Sequence, residues 1–392
     1  MTTYSFTGGR PSPEDFPIEG LIDATARVLR RRGTDLIAYP HMVNLHGDLA
    51  RVAAARFEHR ESPQTPGIHL PVEDIIVTAG SMMAIDELAD YLTEPGDAVI
   101  TEELSYMGSL GRFRSLGLNI QGIPVHPSDG MDVDALEQTL RDLATQGITP
   151  RFIYTIATYQ NPTGAILTLE RRKQLLELSG TYGVPIIEDD CYGDIHFGPT
   201  PPPPSLYALS GGSAPVVYVG SFSKIIGPGL RLGYMCVPPA LAAIKDKRIG
   251  TRASGLASLI VAEYLRENLQ AHIERHNQVL VEKRGVLGRR VEVPVGIVEM
   301  DPGEKGAPRA TVFQPPREGL VHRTGAALRR KLLHPMGGAP VSLVVDLEAT
   351  QKRQTCARRS RTRKPVSCWP KSCGSTWGTR WGPSPGRTGS SF

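Results

Sequence analysis

The segment Ser221-Phe222-Ser223-Lys224-Ile225-Ile226-Gly227-Pro228-Gly229-Leu230-Arg231-Leu232-Gly233-Tyr234 sets one lysine between two serines and puts an arginine seven residues later. An amine in such a loop can attack a carbonyl and afterwards carry a proton. The serines and the guanidinium are anion-binding groups. Two earlier segments add an amide and an acid. Tyr159-Gln160-Asn161-Pro162-Thr163-Gly164 has the composition of a turn. Ile186-Ile187-Glu188-Asp189-Asp190-Cys191-Tyr192 ends an apolar run in carboxylates, whose burial requires a cationic partner. Each segment has an ordinary reading: a surface loop with two unrelated basic residues, a plain turn, a solvated strand end. All three in this order, on successive strand ends of one sheet, converge on one place.

The elements that must position these groups alternate along the chain. Glu73 to Thr78 reads as a strand, and Gly80-Ser81 opens a helix through Ile85, Leu88 and Leu92. Asp97 to Ile100 reads as a strand. Asp132 to Leu143 has helical spacing, with Leu136, Leu140 and Leu143 on one face. Arg151 to Ile156 is a strand, Leu167 to Leu178 a helix and Val184 to Glu188 a buried strand. Val216 to Val219 and Gly233 to Val237 are further strands. This alternation predicts an α/β layer with a largely parallel sheet. Pro199 and Pro201 to Pro204 make a stiff loop. After about residue 285 the alternation weakens, and Lys305 to Gly319 reads as loop.

Of the 392 residues, 40% are hydrophobic and 21% charged, which excludes wholesale disorder and coiled coil. No apolar run reaches membrane-spanning length, and Met1-Thr2-Thr3-Tyr4-Ser5 lacks the regions of a signal peptide. Five cysteines in so long a chain make no disulfide scaffold, so a reducing, cytoplasmic home is expected. The net charge of +4 divides unevenly. Residues 352–392 hold ten Lys/Arg and no Asp/Glu, leaving 34 basic and 40 acidic groups in residues 1–351. All three tryptophans (Trp369, Trp377, Trp381) lie in that tail. The tail has no apolar period and no helix caps, so it is expected to be disordered or aberrant, a frameshifted or mis-spliced reading from about residue 349 or from as early as 286. As a basic arm it could touch nucleic acid, but no nucleic-acid partner is expected. Cys368-x4-Cys373 lacks a second ligand pair, so no metal is expected either.

With its three segments in this order, the sequence resembles the pyridoxal-phosphate-dependent class I/II aminotransferases of fold type I. The resemblance covers about residues 5–285 and is nearest to the kynurenine/2-aminoadipate and aromatic aminotransferase subgroup, with the aminotransferase-like domains of GntR-type regulators. Phe6 to Pro13, Thr78-Ala79-Gly80-Ser81 and Tyr106-Met107-Gly108 support it. It implies a large cofactor domain over 45–285, an N-terminal arm and small-domain segment over 1–44, and a small α+β domain over 286–351, which in this sequence reads as divergent or incomplete.

The resemblance also implies roles. Lys224 joins the cofactor aldehyde and then moves the substrate α-proton. Asp189, rather than Asp190, faces the pyridine nitrogen and keeps it protonated. Asn161 and Tyr192 hydrogen-bond the ring 3-oxygen. Arg231, Ser221 and Ser223 hold the phosphate, with Gly80, Ser81 and Met82 at a helix N-terminus that favours an anion. Met82 can offer only its backbone there. Tyr106 stacks on the ring, Tyr39 reaches the phosphate of a neighbouring subunit in a homodimer, and Gly9 lies near the substrate with Asn161. Tyr106 and Tyr39 could equally be ordinary core or surface aromatics, and Gly9 an ordinary turn residue. Amino acids, aromatic or 2-aminoadipate-like, and 2-oxo acids such as 2-oxoglutarate are the implied substrates. The family's arginine for the substrate carboxylate has no clear counterpart, since the tail offers only Arg380 and Arg387 in Gly/Pro/Ser-rich surroundings. Two alternatives keep the cofactor: a lyase or decarboxylase on the same scaffold, and a non-catalytic regulatory module.

Overall fold

The computed structural model describes residues 11, 13–37, 44–196, 198, 200–211, 215–247, 253–290, 298–302 and 308–312. Gly9, Tyr39 and the tail lie outside the described residues. In chain order the helices and strands are α1 (Ile18–Ile37), α2 (Gly47–Glu61), β1 (Ile75–Thr78), α3 (Ser81–Leu92), β2 (Ala98–Glu102), α4 (Met107–Ser115), β3 (Asn119–Ile123), β4 (Val125–His126), β5 (Gly130–Met131), α5 (Val133–Thr145), β6 (Ile153–Thr155), α6 (Leu169–Tyr182), β7 (Ile186–Asp190), α7 (Leu206–Ser210), β8 (Val216–Ser221), β9 (Gly233–Cys236), α8 (Gly255–Arg290), β10 (Val298–Pro302) and β11 (Pro308–Val312).

The chain divides into two units. Residues 9–297 with 312–317 form one, which holds a seven-stranded sheet in the order β1-β9-β8-β7-β6-β2-β3. Every neighbouring pair is parallel except those of β9, which runs against both β1 and β8. Being buried on both faces, the strands other than the edge strand β3 do not show a polar–apolar alternation. On one face α3 and α4 cover Val99, Tyr154, Ile187, Val219 and Met235. On the other, α5 and α6 pack on Ile100, Ile153 and Ile186, while α2 and α8 pack around Tyr218, Tyr234 and Phe222. In the second unit the described residues belong to β10 and β11, which pair as a two-stranded sheet.

Local chemistry sets the element ends. Asp132 caps α5 by accepting from Ala135 N at 3.1 Å. Ser205 caps α7 after the proline loop, accepting from Ala208 N at 3.1 Å. Gly183 ends α6 in the left-handed region at φ 65°. Three expectations need correction. The first strand starts at Ile75, because Val72–Asp74 closes a 3-10 turn. Strand β11 falls inside the stretch read as loop, where Thr311 and Val312 favour extended backbone. Helices α1, α2 and α8 were not marked out by periodicity. In α2 the reason is that Arg56 and Glu61 are buried with the apolar residues, which breaks the stripe.

Candidate active site

The six parallel strands β1, β2, β3, β6, β7 and β8 point their carboxyl ends to one edge of the sheet, and β9 begins there. That edge is where ligands bind in open α/β sheets. The candidate residues sit on the loops leaving it.

Lys224 lies in the turn after β8. Phe222, Ile225 and Ile226 of that turn are buried, and the Phe222 carbonyl accepts from Ile226 N at 2.9 Å, so the backbone carrying the amine is fixed. Lys224 Nζ stands 5.5 Å from the centroid of the Tyr192 ring. The Tyr192 hydroxyl hydrogen-bonds Asn161, which brings the turn after β6 to the same point. Burial pushes the Tyr192 pKa up to about 12, aided by the nearby Cys191 and Asp189. Tyr106, at the start of α4, is close enough to contribute to that rise, and its ring lies against Gly108.

The two acids of β7 separate as the pleat demands. Asp189 shares its face with Tyr154 and accepts from Tyr154 Oη at 2.8 Å and from Cys191 Sγ at 2.9 Å. Burial raises its pKa, against those two hydrogen bonds and the Lys224 charge. Asp190 faces the opposite layer, 2.7 Å from Arg60 Nη2 and 2.8 Å from Tyr218 Oη. Both acids are buried, so the solvated-strand-end reading does not hold.

At the other end, Arg231 adopts the left-handed region (φ 51°), and its Nη2 donates to Ala79 O at 3.0 Å. Gly80 has φ 90°, and a Cβ there would lie 2.7 Å from Arg231 Nη2. A Cβ on Gly233 would lie 2.4 Å from Ser81 N. Only glycines let the start of α3 and the arginine meet this closely. Ser221 is buried and its Oγ accepts from Ser223 N at 3.2 Å. Ser81 Oγ lies 3.3 Å from Cys191 Sγ. Met82 turns its thioether to Ser109 and the apolar layer, so its side chain is not an anion ligand.

The described residues therefore bring together Lys224, Asp189, Tyr192, Asn161, Tyr106, Gly80, Ser81, Arg231, Ser221 and Ser223. Sequence reading missed Tyr154, Cys191 and Ser109. The available signal was a tyrosine in the wholly buried strand β6, whose hydroxyl must find a partner. A cavity of about 440 Å³ opens behind β7, lined by Arg60, Asp190 and Asp194, but none of the candidate residues lines it.

Comparison with known proteins decides the family. The description "Aminotransferase class I and II" matches residues 14–301. This chain belongs to the class I and II aminotransferases. The 2-aminoadipate transaminase of Thermus thermophilus is 34% identical over 71% of the chain and 67% of its own length. Aromatic-amino-acid aminotransferase 1 of Thermococcus litoralis is 34% identical over 60% of the chain, which spans just 54% of that relative. The crystal structure of LysN from Thermus thermophilus, an α-aminoadipate aminotransferase complexed with N-(5'-phosphopyridoxyl)-L-leucine, superposes with a TM-score of 0.63 at 32% identity. It covers 76% of this chain and 74% of that one. Further relatives are named as HTH-type transcriptional regulators. The fold is that of the fold type I transferases, and pyridoxal phosphate is the cofactor of this aminotransferase. The residues fit it: a buried acid suits a protonated ring nitrogen, and the glycine-cleared helix start beside Arg231 suits a phosphate.

Proposed function

We propose that this aminotransferase carries an α-amino group from an aromatic or 2-aminoadipate-like amino acid to a 2-oxo acid such as 2-oxoglutarate. The supporting observation is that Lys224, the buried carboxyl of Asp189 and the Arg231–Gly80 cradle meet at one sheet edge. When bound, pyridoxal phosphate supplies a ring that accepts the electrons left at the substrate α-carbon. Asp189 faces the ring nitrogen and holds its proton. Asn161 and Tyr192 hydrogen-bond the ring 3-oxygen, with the Tyr192 hydroxyl kept protonated by its raised pKa. Arg231, Ser221, Ser223 and the backbone of Gly80, Ser81 and Met82 bind the phosphate. Tyr106 covers the ring. Lys224 Nζ would hold the cofactor aldehyde until the substrate amine displaces it, and the freed amine would then accept the substrate α-proton. The enzyme acts as a cytoplasmic homodimer.

Visible absorbance of the purified protein, followed as single amino acids are added, tests this reading. Aromatic or long-chain acidic amino acids should convert the cofactor to its amine form, and 2-oxoglutarate should restore it. Bound cofactor that no amino acid alters would refute amino transfer and favour the regulatory reading suggested by the regulator relatives.

A further inference from the structure

The geometry points to Tyr154 as a positioning residue for the amino-transfer reaction: with Ser109 behind it, its hydroxyl holds the Asp189 carboxylate in the orientation and charge that the cofactor ring nitrogen requires. The inference rests on the proposed role of Asp189 and extends it by one residue on each of two elements.

A chain of donors carries it. Ser109 Oγ donates to Tyr154 Oη at 3.0 Å, and Tyr154 Oη donates to Asp189 Oδ2 at 2.8 Å. Ser109 and Tyr154 are wholly buried, and Asp189 is 4% exposed. Water therefore does not replace either hydrogen bond, and a hydroxyl lost here leaves a buried acid short of a donor. The direction of donation is fixed at both ends. The carboxylate can only accept, and burial together with Asp189 raises the Tyr154 pKa well above its usual value, so the phenol keeps its proton.

Placement makes the chain part of the site rather than of the core alone. Tyr106 is the residue just before α4 and Ser109 lies in its first turn, so the start of one helix carries both the ring-covering aromatic and the first donor. Strand β6 carries Tyr154 between them and β7, and the turn after β6 continues to Asn161. The groups acting on Asp189 are Tyr154, Cys191, Asp190 and Lys224, while Glu102 also acts on Tyr154. Of these, Tyr154 gives the Oδ2 oxygen a short hydroxyl donor and Cys191 gives Oδ1 a weaker thiol donor.

The test is pyridoxal phosphate binding to apoenzyme of the full chain, measured by fluorescence from pH 5 to 9, with steady-state kinetics beside it. Tyr154→Phe should weaken cofactor binding about tenfold, the size of one hydrogen bond to a buried charge. It should also move the acid limb of binding to higher pH, because Asp189 then protonates more readily. The amino-acid KM should stay near wild type while kcat falls. Ser109→Ala should shift the same limb in the same direction by less, and it keeps the test decisive if Tyr154→Phe folds poorly. Either variant lowering Tm while leaving cofactor affinity and its pH profile unchanged would make the chain merely structural and overturn the inference. Asp189→Asn serves as the control. If it binds cofactor as tightly as wild type, the parent reading of Asp189 fails and this one with it. If Asp189→Asn weakens binding but Tyr154→Phe and Ser109→Ala do not, the inference about Tyr154 alone fails.

Discussion

Substitution of Arg56 by methionine probes the packing that supports the lysine turn. Arg56 is 1% exposed, and its guanidinium pairs with Asp194 through Nε at 2.7 Å and through Nη2. Its Nη1 donates to Ser221 O at 2.7 Å, three residues before Lys224, and the cation lies 5.2 Å from the centroid of Phe222. Methionine fills similar volume but leaves Asp194 with Arg60 as its nearest remaining cation and leaves the Ser221 carbonyl without this donor. Breaking a buried pair from one side costs about 3–5 kcal/mol. For a unit this large that corresponds to a Tm lower by roughly 5–8 °C. Thermal unfolding followed by circular dichroism measures it, with cofactor loss during dilution as the second readout. Adding Asp194→Asn removes the unpaired charge, so the double variant should be more stable than Arg56→Met alone. The pH dependence has a definite sign. Burial raises the Asp194 pKa, but Arg56 and Arg60 outweigh it and hold the carboxyl below its usual value. The pair's contribution is therefore full above the unfolded carboxylate pKa and is lost as pH falls through the folded one. The Arg56→Met deficit should be constant from about pH 5 to 8 and shrink below about pH 4. A deficit under about 1 kcal/mol, or one additive with Asp194→Asn, would refute the reasoning.

Three further outcomes are expected. Borohydride reduction and peptide mapping should place the cofactor label on Lys224, and Lys224→Ala should lose the lysine-linked absorbance band; label on another lysine counts against the site. Gly80→Ala should cost about 1–3 kcal/mol, because φ 90° with ψ 159° is a region only glycine adopts freely, and displace Arg231 as well, so phosphate-dependent cofactor affinity should drop more than that of unphosphorylated pyridoxal. Because the Tyr192 pKa is pushed up to about 12, folding favours its neutral form, and that stabilisation is lost as pH rises from about 10 through 12. Tyr192→Phe should flatten the alkaline loss of stability in denaturant melts between pH 9 and 11.5, and an unchanged slope would contradict the burial argument.

The sheet was legible because its strands are buried on both faces and bounded by turn residues, as in Ile186–Asp190 and Val216–Ser221. The choice of Asp189 over Asp190 came from resemblance, and strand alternation gives it a physical basis. Side-chain networks were not legible. Tyr154 looks like one more β-forming residue until β7 is placed beside it. Arg56 and Glu61 look like surface charges on a helix, and only the opposing Asp194, Arg60 and Ser205 reveal why they are inside. Asp194 and Ser205 lie more than a hundred residues away in sequence, beyond the reach of local periodicity.

Strand β7 is keyed on its hidden side. Glu188 accepts from the amides of Leu206 and Tyr207 at 2.7 and 3.0 Å, and Asp190 is tethered to Arg60 and Tyr218. A slip of one residue would exchange Asp189 with a neighbour and turn the wrong acid toward the crevice. The rear anchors thus act as a ratchet pawl: they never touch a substrate, yet they determine which carboxyl the front of the sheet displays.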